Sequence, residues 1–292
     1  GFPLMVGPMR YLKFRHFLKK SQRWPPWKLE QYQLDKLRQL LSHAYKNVPY
    51  YTELFNKLNV TPEDFHHLGD LARLPVLTKE DVVNNFDKLI ARNIKKKYLK
   101  LLSTSGSTGK PIQFYRDNRY NFVELSLFRR VFDSLNIKYN DKRVDIVARI
   151  FIDKKIKDCY FYEPHLKKLS LSYAPNTLGL YEEYLKLIRK FNPVLCRGNP
   201  SLLYHLACYA QENNINDIHF EYFISSYEHI LPYQRNLIEK QFNCGIYSYY
   251  GSEEYIISAF ECSRHNGMHI NMERGILEIL GDRAEPLPEG YS

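Results

Sequence analysis

The sequence has no hydrophobic run long enough to cross a membrane. Its start, GFPLMVGPMR, has neither the long apolar core nor the small-residue cleavage pattern of a signal peptide. The five cysteines are odd in number and widely scattered, which argues against a disulfide framework and favours reduced thiols. From these absences we expect a cytoplasmic protein without a transmembrane segment.

Motifs of nucleic-acid-binding folds are also missing. No zinc finger, RRM or KH signature accompanies the short lysine runs, although the formal net charge is +10. The positive excess fits solvated faces and attraction for an anionic small molecule, so we expect no dedicated nucleic-acid partner. Residues 1–28 form a basic, aromatic arm. Its composition leaves open whether the arm packs on the domain or makes peripheral contact with a membrane.

A loop of glycine and hydroxyl residues interrupts two apolar segments in the middle of the chain. Thr104–Pro111 reads TSGSTGKP, and the alternating apolar residues at 99–102 and 112–115 predict two strands joined as a hairpin. Successive backbone N–H groups, hydroxyls and Lys110 suit a polyanion such as phosphate. The loop is not a Walker A motif, because Thr104 replaces its first glycine and Pro111 its Ser or Thr. By composition alone, a mobile surface turn is the alternative.

Helices and strands alternate along the rest of the chain. Before the loop, we predict helix over 29–57 with a break at Asn47-Val48-Pro49, and Thr78 as the N-cap of a helix over 79–86. Beyond it, we predict helices at 120–135, 180–191, 200–213 and 232–242, and strands at 144–151, 193–197, 222–226 and 245–250. Segment 153–168 gives no firm assignment, and the alternatives for it are an insertion or a β-excursion. Such alternation implies a largely parallel sheet, whose ligands collect at the carboxyl ends of the strands.

Two polar clusters follow predicted strands. Tyr227-Glu228-His229 follows the strand at 222–226, and Gly251-Ser252-Glu253-Glu254 follows the strand at 245–250, although such residues are common in any turn. Further on, Cys262, His265 and His269 have spacings that zinc accepts, with Cys244 as a conceivable fourth ligand. The alternative for this last cluster is a turn with a buried cysteine and polar histidines.

Several stretches resemble one family. These are LDKLRQLLSHAYKNVPYYTELF, DLARLPVLTKEDV, TSGSTGKP, CRGNPSLLYHLA, SSYEH, YYGSEE and ECSRHNGMHINMERGILEIL. They are similar to segments of phenylacetate-CoA ligases and capsule-biosynthesis adenylating proteins, which belong to the adenylate-forming superfamily. The resemblance runs from about Leu34 to the end of the sequence. It implies the large N-terminal α/β domain of such an enzyme over residues 29–292, incomplete at its end, with mostly parallel sheets flanked by helices. The family's small C-terminal domain is absent from the sequence.

The resemblance also implies roles for individual residues. The loop would hold the phosphates of ATP through Thr104, Ser105, Gly106, Ser107, Thr108, Gly109 and Lys110. In the family's YG-x-[ST]-E signature, Tyr250 and Gly251 match, and Glu254 matches the magnesium ligand. Glu253 stands where Ser or Thr is usual, which leaves Ser252 as the substitute. The Tyr227–Glu228 turn would line the adenine site, with Tyr227 in place of a small residue. Lys110 and Glu254 would be the catalytic residues.

The activity implied by the resemblance is ATP-dependent activation of a carboxylic acid as an acyl-adenylate, followed by transfer to CoA or another acceptor. Capsule or polysaccharide biosynthesis is the process that the resemblance suggests. The alternative is a non-catalytic nucleotide- or partner-binding domain derived from such an enzyme. The sequence identifies neither the acid, the acceptor nor the oligomeric state. One geometric expectation follows: the hairpin loop near Gly106 and the acidic turn near Glu254 lie together.

Overall fold

A computed structural model describes residues 8–104, 111–147, 159–172, 179–281 and 287. The chain divides into two compact units. The first combines Gly1–Arg129 with Ser252–Ile257 and Asn271–Ser292, and the second combines Arg130–Gly251 with Ser258–Ile270. Each unit is therefore assembled from segments that are distant in the sequence.

The first unit is mainly helical. Its helices are α1 (Pro8–Ser21), α2 (Pro26–Asn47), α3 (Pro49–Leu58) and α4 (Lys79–Asn84). Short 3-10 turns follow at Pro62–Asp64, Leu68–Arg73, Phe86–Leu89, Lys96–Tyr98 and Asn118–Tyr120. The predicted break between α2 and α3 is confirmed. Val48 has extended backbone angles because it precedes Pro49, the first residue of α3. Thr78 caps α4, as predicted, by accepting a hydrogen bond from the Asp81 N–H at 3.1 Å.

Two small apolar cores hold these helices. In the first, Leu37 and Leu41 of α2 pack with Phe55 of α3 and with Phe65. In the second, Leu18 of α1 packs with Val123 and Leu127. Leu18 is thus buried within the first unit, although it belongs to the basic arm defined above.

The predicted hairpin is confirmed within the first unit. Strands β1 (Leu99–Ser103) and β2 (Gln113–Asp117) pair antiparallel, with Ser103 opposite Gln113. Beyond this pair, the Thr104 N–H donates to the Ile112 carbonyl at 3.0 Å. After β2, helix α5 spans Asn121–Ser134, close to the predicted 120–135.

The second unit contains an eight-stranded sheet. Its elements are β3 (Arg143–Val147), β4 (Tyr160–Glu163), β5 (Lys168–Ser172), α6 (Tyr181–Phe191), β6 (Leu195–Gly198), α7 (Pro200–Glu212), β7 (Tyr222–Ser225), α8 (Pro232–Phe242), β8 (Gly245–Gly251), β9 (Ser258–Glu261) and β10 (Met268–Ile270). A 3-10 turn spans Pro164–Leu166. The strand order is β10-β9-β8-β7-β6-β3-β5-β4.

The centre of this sheet is parallel, as the alternation of helices and strands predicts. The pairs β5/β3, β3/β6, β6/β7 and β7/β8 are parallel, whereas β4, β9 and β10 add antiparallel edges. Helices α6, α7 and α8 contribute Leu185, Leu203 and Ile238 to the core on one face, together with Val144 and Phe223 from the strands. The unassigned segment 153–168 includes strand β4, and its residues up to 158 lie outside the described part.

The structure bears on the expectations about membrane spans and disulfides. No helix among the described residues is long and apolar enough to cross a membrane. All five cysteines are free thiols, which agrees with the predicted lack of a disulfide framework.

Candidate functional site

The base of the glycine-rich loop is closed by Thr104. Its N–H donates to the Ile112 carbonyl, and its hydroxyl oxygen accepts from the Ile112 N–H at 3.1 Å. Thr104 therefore fixes the two ends of the loop to each other. The other predicted phosphate-binding residues, Ser105, Gly106, Ser107, Thr108, Gly109 and Lys110, lie outside the described residues.

The acidic turn of the first unit is attached to the hairpin strand that follows the loop. Ser252–Tyr255 forms a turn in which the Tyr255 N–H donates to the Ser252 carbonyl at 3.1 Å. Arg116 of β2 donates to the backbone carbonyl of Glu253 at 2.7 Å and approaches its carboxylate at 3.4 Å. The Arg116 guanidinium also lies over the Tyr255 ring, 3.9 Å from its centroid. The strand leaving the loop and the acidic turn are therefore neighbours.

The two glutamates of this turn have different surroundings. Glu253 is paired with Arg116, which explains how a carboxylate is accommodated where the family has Ser or Thr. Glu254 is half-buried, and no described residue donates to it or forms an ion pair with it. Because carboxylate oxygens are the ligands that Mg²⁺ prefers, Glu254 is the better placed of the two to bind a cation.

In the second unit, Glu228 is fixed by the start of α7. Its carboxylate accepts from the Asn199 side-chain amide and from the Ser201 hydroxyl. Asn199 is buried and caps α7, since its side-chain oxygen accepts from the Leu202 N–H at 3.1 Å. These hydrogen bonds join Glu228 of the SSYEH segment to the CRGNPS segment, although the two segments are separate motifs in the sequence.

Tyr227 adopts an unusual backbone conformation. Its φ is +77°, in the left-handed region that bulky residues avoid, and its side chain is 69% exposed. The residue therefore projects outward from the carboxyl end of β7. At the neighbouring strand end, Tyr250 is also exposed, and a Cβ on Gly251 would come within 3.1 Å of the Tyr249 ring.

An ion pair between a buried carboxylate and a half-buried guanidinium joins two strands in the middle of the same sheet. Arg197 of β6 donates to the Asp145 carboxylate of β3 at 2.7 Å, and the two residues are register partners. Burial lowers the pKa of Arg197, but the charge of Asp145 outweighs this effect and the pKa is raised. The Arg197 guanidinium is therefore charged at neutral pH.

The predicted zinc set is not brought together. Within the described ranges, no three His, Cys, Asp or Glu side chains are placed to hold a metal ion. His265 stacks on Tyr247 and contacts the Glu261 carboxylate at 2.8 Å, while the His269 ring packs on Phe260. Cys262 is only partly buried. Cys244, the conceivable fourth ligand, is buried, which raises the pKa of its thiol to about 12 and disfavours the thiolate that zinc requires.

Two contacts of these sites were not predicted from the sequence. One is the contact of Arg116 with the Glu253 turn, and the other is the hydrogen bond from Asn199 to Glu228. Arg116 is a single cation within a strand, and it belongs to no motif. Asn199 is a candidate helix cap in the sequence, but capping gives no indication of its second partner. Only the fold brings each of them to a glutamate, 137 and 29 positions away respectively.

Among known proteins, relatives of the chain include CapK and a phenylacetate-coenzyme A ligase. No family model matches the chain. The protein CapK from Staphylococcus aureus is 28% identical over 267 residues, which cover 89% of this chain and 58% of CapK. A phenylacetate-coenzyme A ligase from Pseudomonas putida is 28% identical over 269 residues, covering 90% of this chain and 60% of the ligase. The chain thus spans about three fifths of the length of these curated relatives.

Solved structures share the fold. A 2-hydroxyisobutyryl-CoA ligase in complex with 2-HIB-AMP and CoA superposes with a TM-score of 0.72 at 19% identity, covering 91% of this chain and 59% of the ligase. At this identity the likeness concerns the fold. It agrees with the sequence relatives and with the predicted N-terminal α/β architecture. The chain is thus similar in sequence to phenylacetate-CoA ligases and to CapK, and it shares the fold of an acyl-CoA ligase.

Proposed function

We propose that the protein activates a carboxylic acid with ATP, giving an acyl-adenylate and pyrophosphate, and that the acyl group then passes to CoA or another acceptor. The relationship to phenylacetate-CoA ligase supports this reaction. The observation that carries the proposal is the attachment of the Ser252–Tyr255 turn to the hairpin strand by Arg116. The strand that follows the proposed phosphate-binding loop therefore contacts the turn that carries the proposed metal ligand, which supports one shared phosphate site.

The chemistry of this reaction depends on neutralising charge. The carboxylate oxygen of the acid attacks the α-phosphorus of ATP, and the bond from that phosphorus to the oxygen bridging to the β-phosphate breaks. The electron pair leaves with pyrophosphate. We assign Ser105–Lys110 to the β- and γ-phosphates, where backbone N–H groups and the Lys110 ammonium would offset the developing charge. Thr104 holds the ends of the loop together, and Glu254 would hold a Mg²⁺ ion, whose charge would offset that of the phosphates.

For the adenine we propose residues that follow the adjacent strands β7 and β8 or end them. Tyr250 and the Tyr227–Glu228 turn would border the base, with Gly251 and Ser252 following along the chain. The bonds from Asn199 and Ser201 support a fixed position for Glu228. Tyr227 offers a ring for stacking at a position where the resemblance implies a small residue.

The substrate, the acceptor, the biological process and the cellular location are proposed only in general terms. The substrate would be a small carboxylic acid, and CoA is the first acceptor to test. A part in capsule biosynthesis has its support in the similarity to CapK. A cytoplasmic location remains a prediction, for which the free thiols are the support.

Binding of ATP with Mg²⁺ provides the direct test. We expect ATP with Mg²⁺ to raise the melting temperature of the protein, and we expect Glu254→Gln to remove most of this shift, because the amide keeps the shape but loses the charge that holds the cation. Glu253→Gln is the matched control, since it lies in the same turn but is assigned to Arg116 rather than to the metal. Equal shifts in the wild type and in Glu254→Gln would contradict the proposal.

A second candidate is a nucleotide-binding or partner-binding domain that does not catalyse. Tyr227, an exposed ring in a strained conformation where a small residue is usual, favours it. Exchange of labelled pyrophosphate into ATP separates the two functions when it is run with a panel of carboxylic acids. Acid-dependent exchange supports the ligase, whereas ATP binding without exchange supports the binding domain.

A further inference from the structure

The charge of the protein is concentrated at one end. The first 28 residues contain no acidic residue and seven cations: Arg10, Lys13, Arg15, Lys19, Lys20, Arg23 and Lys28. Subtracting these seven from the chain's +10 leaves only +3 for residues 29–292. The positive excess is therefore a property of the N-terminal arm rather than of the whole surface. Such asymmetry points to an anionic partner for this segment.

Helix α1 has an apolar inner face and an outer face that carries its three lysines together with two apolar side chains. Phe14, Phe17 and Leu18 pack with Val123 and Leu127, so this inner face is used within the first unit. The outer face carries residues that are all exposed and that follow helical spacing: Met9, Leu12, Lys13, His16, Lys19 and Lys20. It extends for about 21 Å, the length of fourteen helical residues.

The outer face combines charge with protruding apolar side chains. Met9 is 67% exposed and Leu12 is 59% exposed, and both lie beside the lysines. A phosphate-rich nucleic acid would attract the lysines but offers few apolar groups to these two tips. A bilayer of anionic lipids matches both, because its headgroups are charged and its interface accepts apolar side chains and lysine stems.

We propose that the outer face of α1 binds the surface of an anionic lipid membrane. The helix remains packed through Leu18, so binding requires no unfolding of the arm. Electrostatic attraction supplies most of the affinity, and Met9 and Leu12 reach into the headgroup region. The contact is peripheral and weakens with salt, because exposed charges are screened. It is independent of the adenylation proposed above.

Vesicle sedimentation tests this assignment. The full chain is mixed at low salt with vesicles of neutral phosphatidylcholine, or of phosphatidylcholine with about a third phosphatidylglycerol. We expect binding only to the anionic vesicles. The triple variant Lys13→Gln, Lys19→Gln, Lys20→Gln should bind about a hundredfold more weakly, since each cation near the surface contributes about fivefold. Leu12→Asn should weaken binding without changing its salt dependence.

A variant with the same net charge serves as the control. Lys46, Lys57 and Lys240 are exposed lysines outside the arm, and their triple Gln variant should bind like the wild type. Melting temperatures check that all variants are folded. Equal losses in both triple variants would overturn the proposal in favour of a general charge effect. Retention on single-stranded RNA without any binding to anionic vesicles would overturn it in favour of nucleic acid.

Discussion

Arg116 donates a hydrogen bond of 2.7 Å to the backbone carbonyl of Glu253, 137 positions further along the chain. The same guanidinium lies over the Tyr255 ring and beside the Glu253 carboxylate. One side chain on β2 therefore fixes the turn that carries Glu254. Because the carbonyl bond needs only Arg116 and the backbone, the position of the turn does not depend on which side chain stands at 253.

Replacing Arg116 should loosen this turn. We expect Arg116→Met, which keeps most of the apolar stem, to lower the free energy of unfolding by about 2 kcal/mol through loss of the charge-assisted hydrogen bond and the ring contact. The measurement is the urea midpoint together with the shift caused by ATP and Mg²⁺, which should also diminish. Arg264→Met, at an exposed arginine, is the control and should leave both unchanged. An unchanged midpoint in Arg116→Met would show that the turn is held by other contacts.

The sequence predicts the architecture well because its signals are local. Pro49 ends one helix and starts the next, Thr78 caps a helix, and Pro232–Phe242 is a helix with the predicted bounds. Strand β4 is missed since its pattern, Tyr160–Glu163, lies in a lysine-rich stretch and it pairs at the sheet edge. A strand at the edge of a sheet can form without a clear alternation of apolar and polar residues, so its sequence gives little signal.

Pairings between distant side chains are not readable from local pattern. The Cys262, His265 and His269 spacing suits zinc, yet the turn at His265, with φ +51°, directs its ring onto Tyr247. Likewise, the hydrogen bond from Asn199 to Glu228 depends on β6 and β7 being adjacent in the sheet. These contacts arise from strand order and backbone direction, which spacing along the chain does not encode.

Gly198, at the end of β6, should tolerate no side chain. Its φ is +137°, and a Cβ there would lie 2.1 Å from the backbone carbonyl oxygen of Ile146 on the neighbouring strand. Since a backbone atom in a central strand has no room to move, we expect Gly198→Ala to cost more than about 3 kcal/mol of stability. Gly69→Ala is the matched control, because nothing lies within 4 Å of the added Cβ. Comparable melting temperatures for the two variants would contradict this prediction.

We expect the protein to be more stable with glycine than with alanine at position 227. At φ +77° any Cβ is strained, and only glycine adopts this conformation freely. Both substitutions remove the same exposed ring, so they differ only in the Cβ. We therefore expect the free energy of unfolding of Tyr227→Gly to be about 1 kcal/mol higher than that of Tyr227→Ala. Urea unfolding of the pair provides the measurement. If alanine were equal or better, the strain at this turn would be relieved by its surroundings.

Glu261 should make stability depend on pH. Burial alone raises the pKa of this carboxyl, but hydrogen bonds from the Ser248 N–H, His265 and Arg235 outweigh burial and lower the pKa below its ordinary value of 4.5. A folded-state pKa below the unfolded one means that the charged carboxylate stabilises the fold above about pH 4.5, and that this stabilisation disappears as pH falls further. The substitution Glu261→Gln keeps the shape of the side chain but removes the negative charge that these donors contact.

At pH 7 we expect Glu261→Gln to cost about 2 kcal/mol, the usual value for hydrogen bonds to a charged group. The deficit relative to the wild type should shrink as the pH is lowered from 5 towards 3, because the wild-type carboxylate then becomes protonated and loses the same interactions. Urea midpoints of both proteins, measured at each pH, give the difference directly and cancel the titration of all other groups. A deficit that stays constant over this range would mean that Glu261 acts through packing and not through its charge.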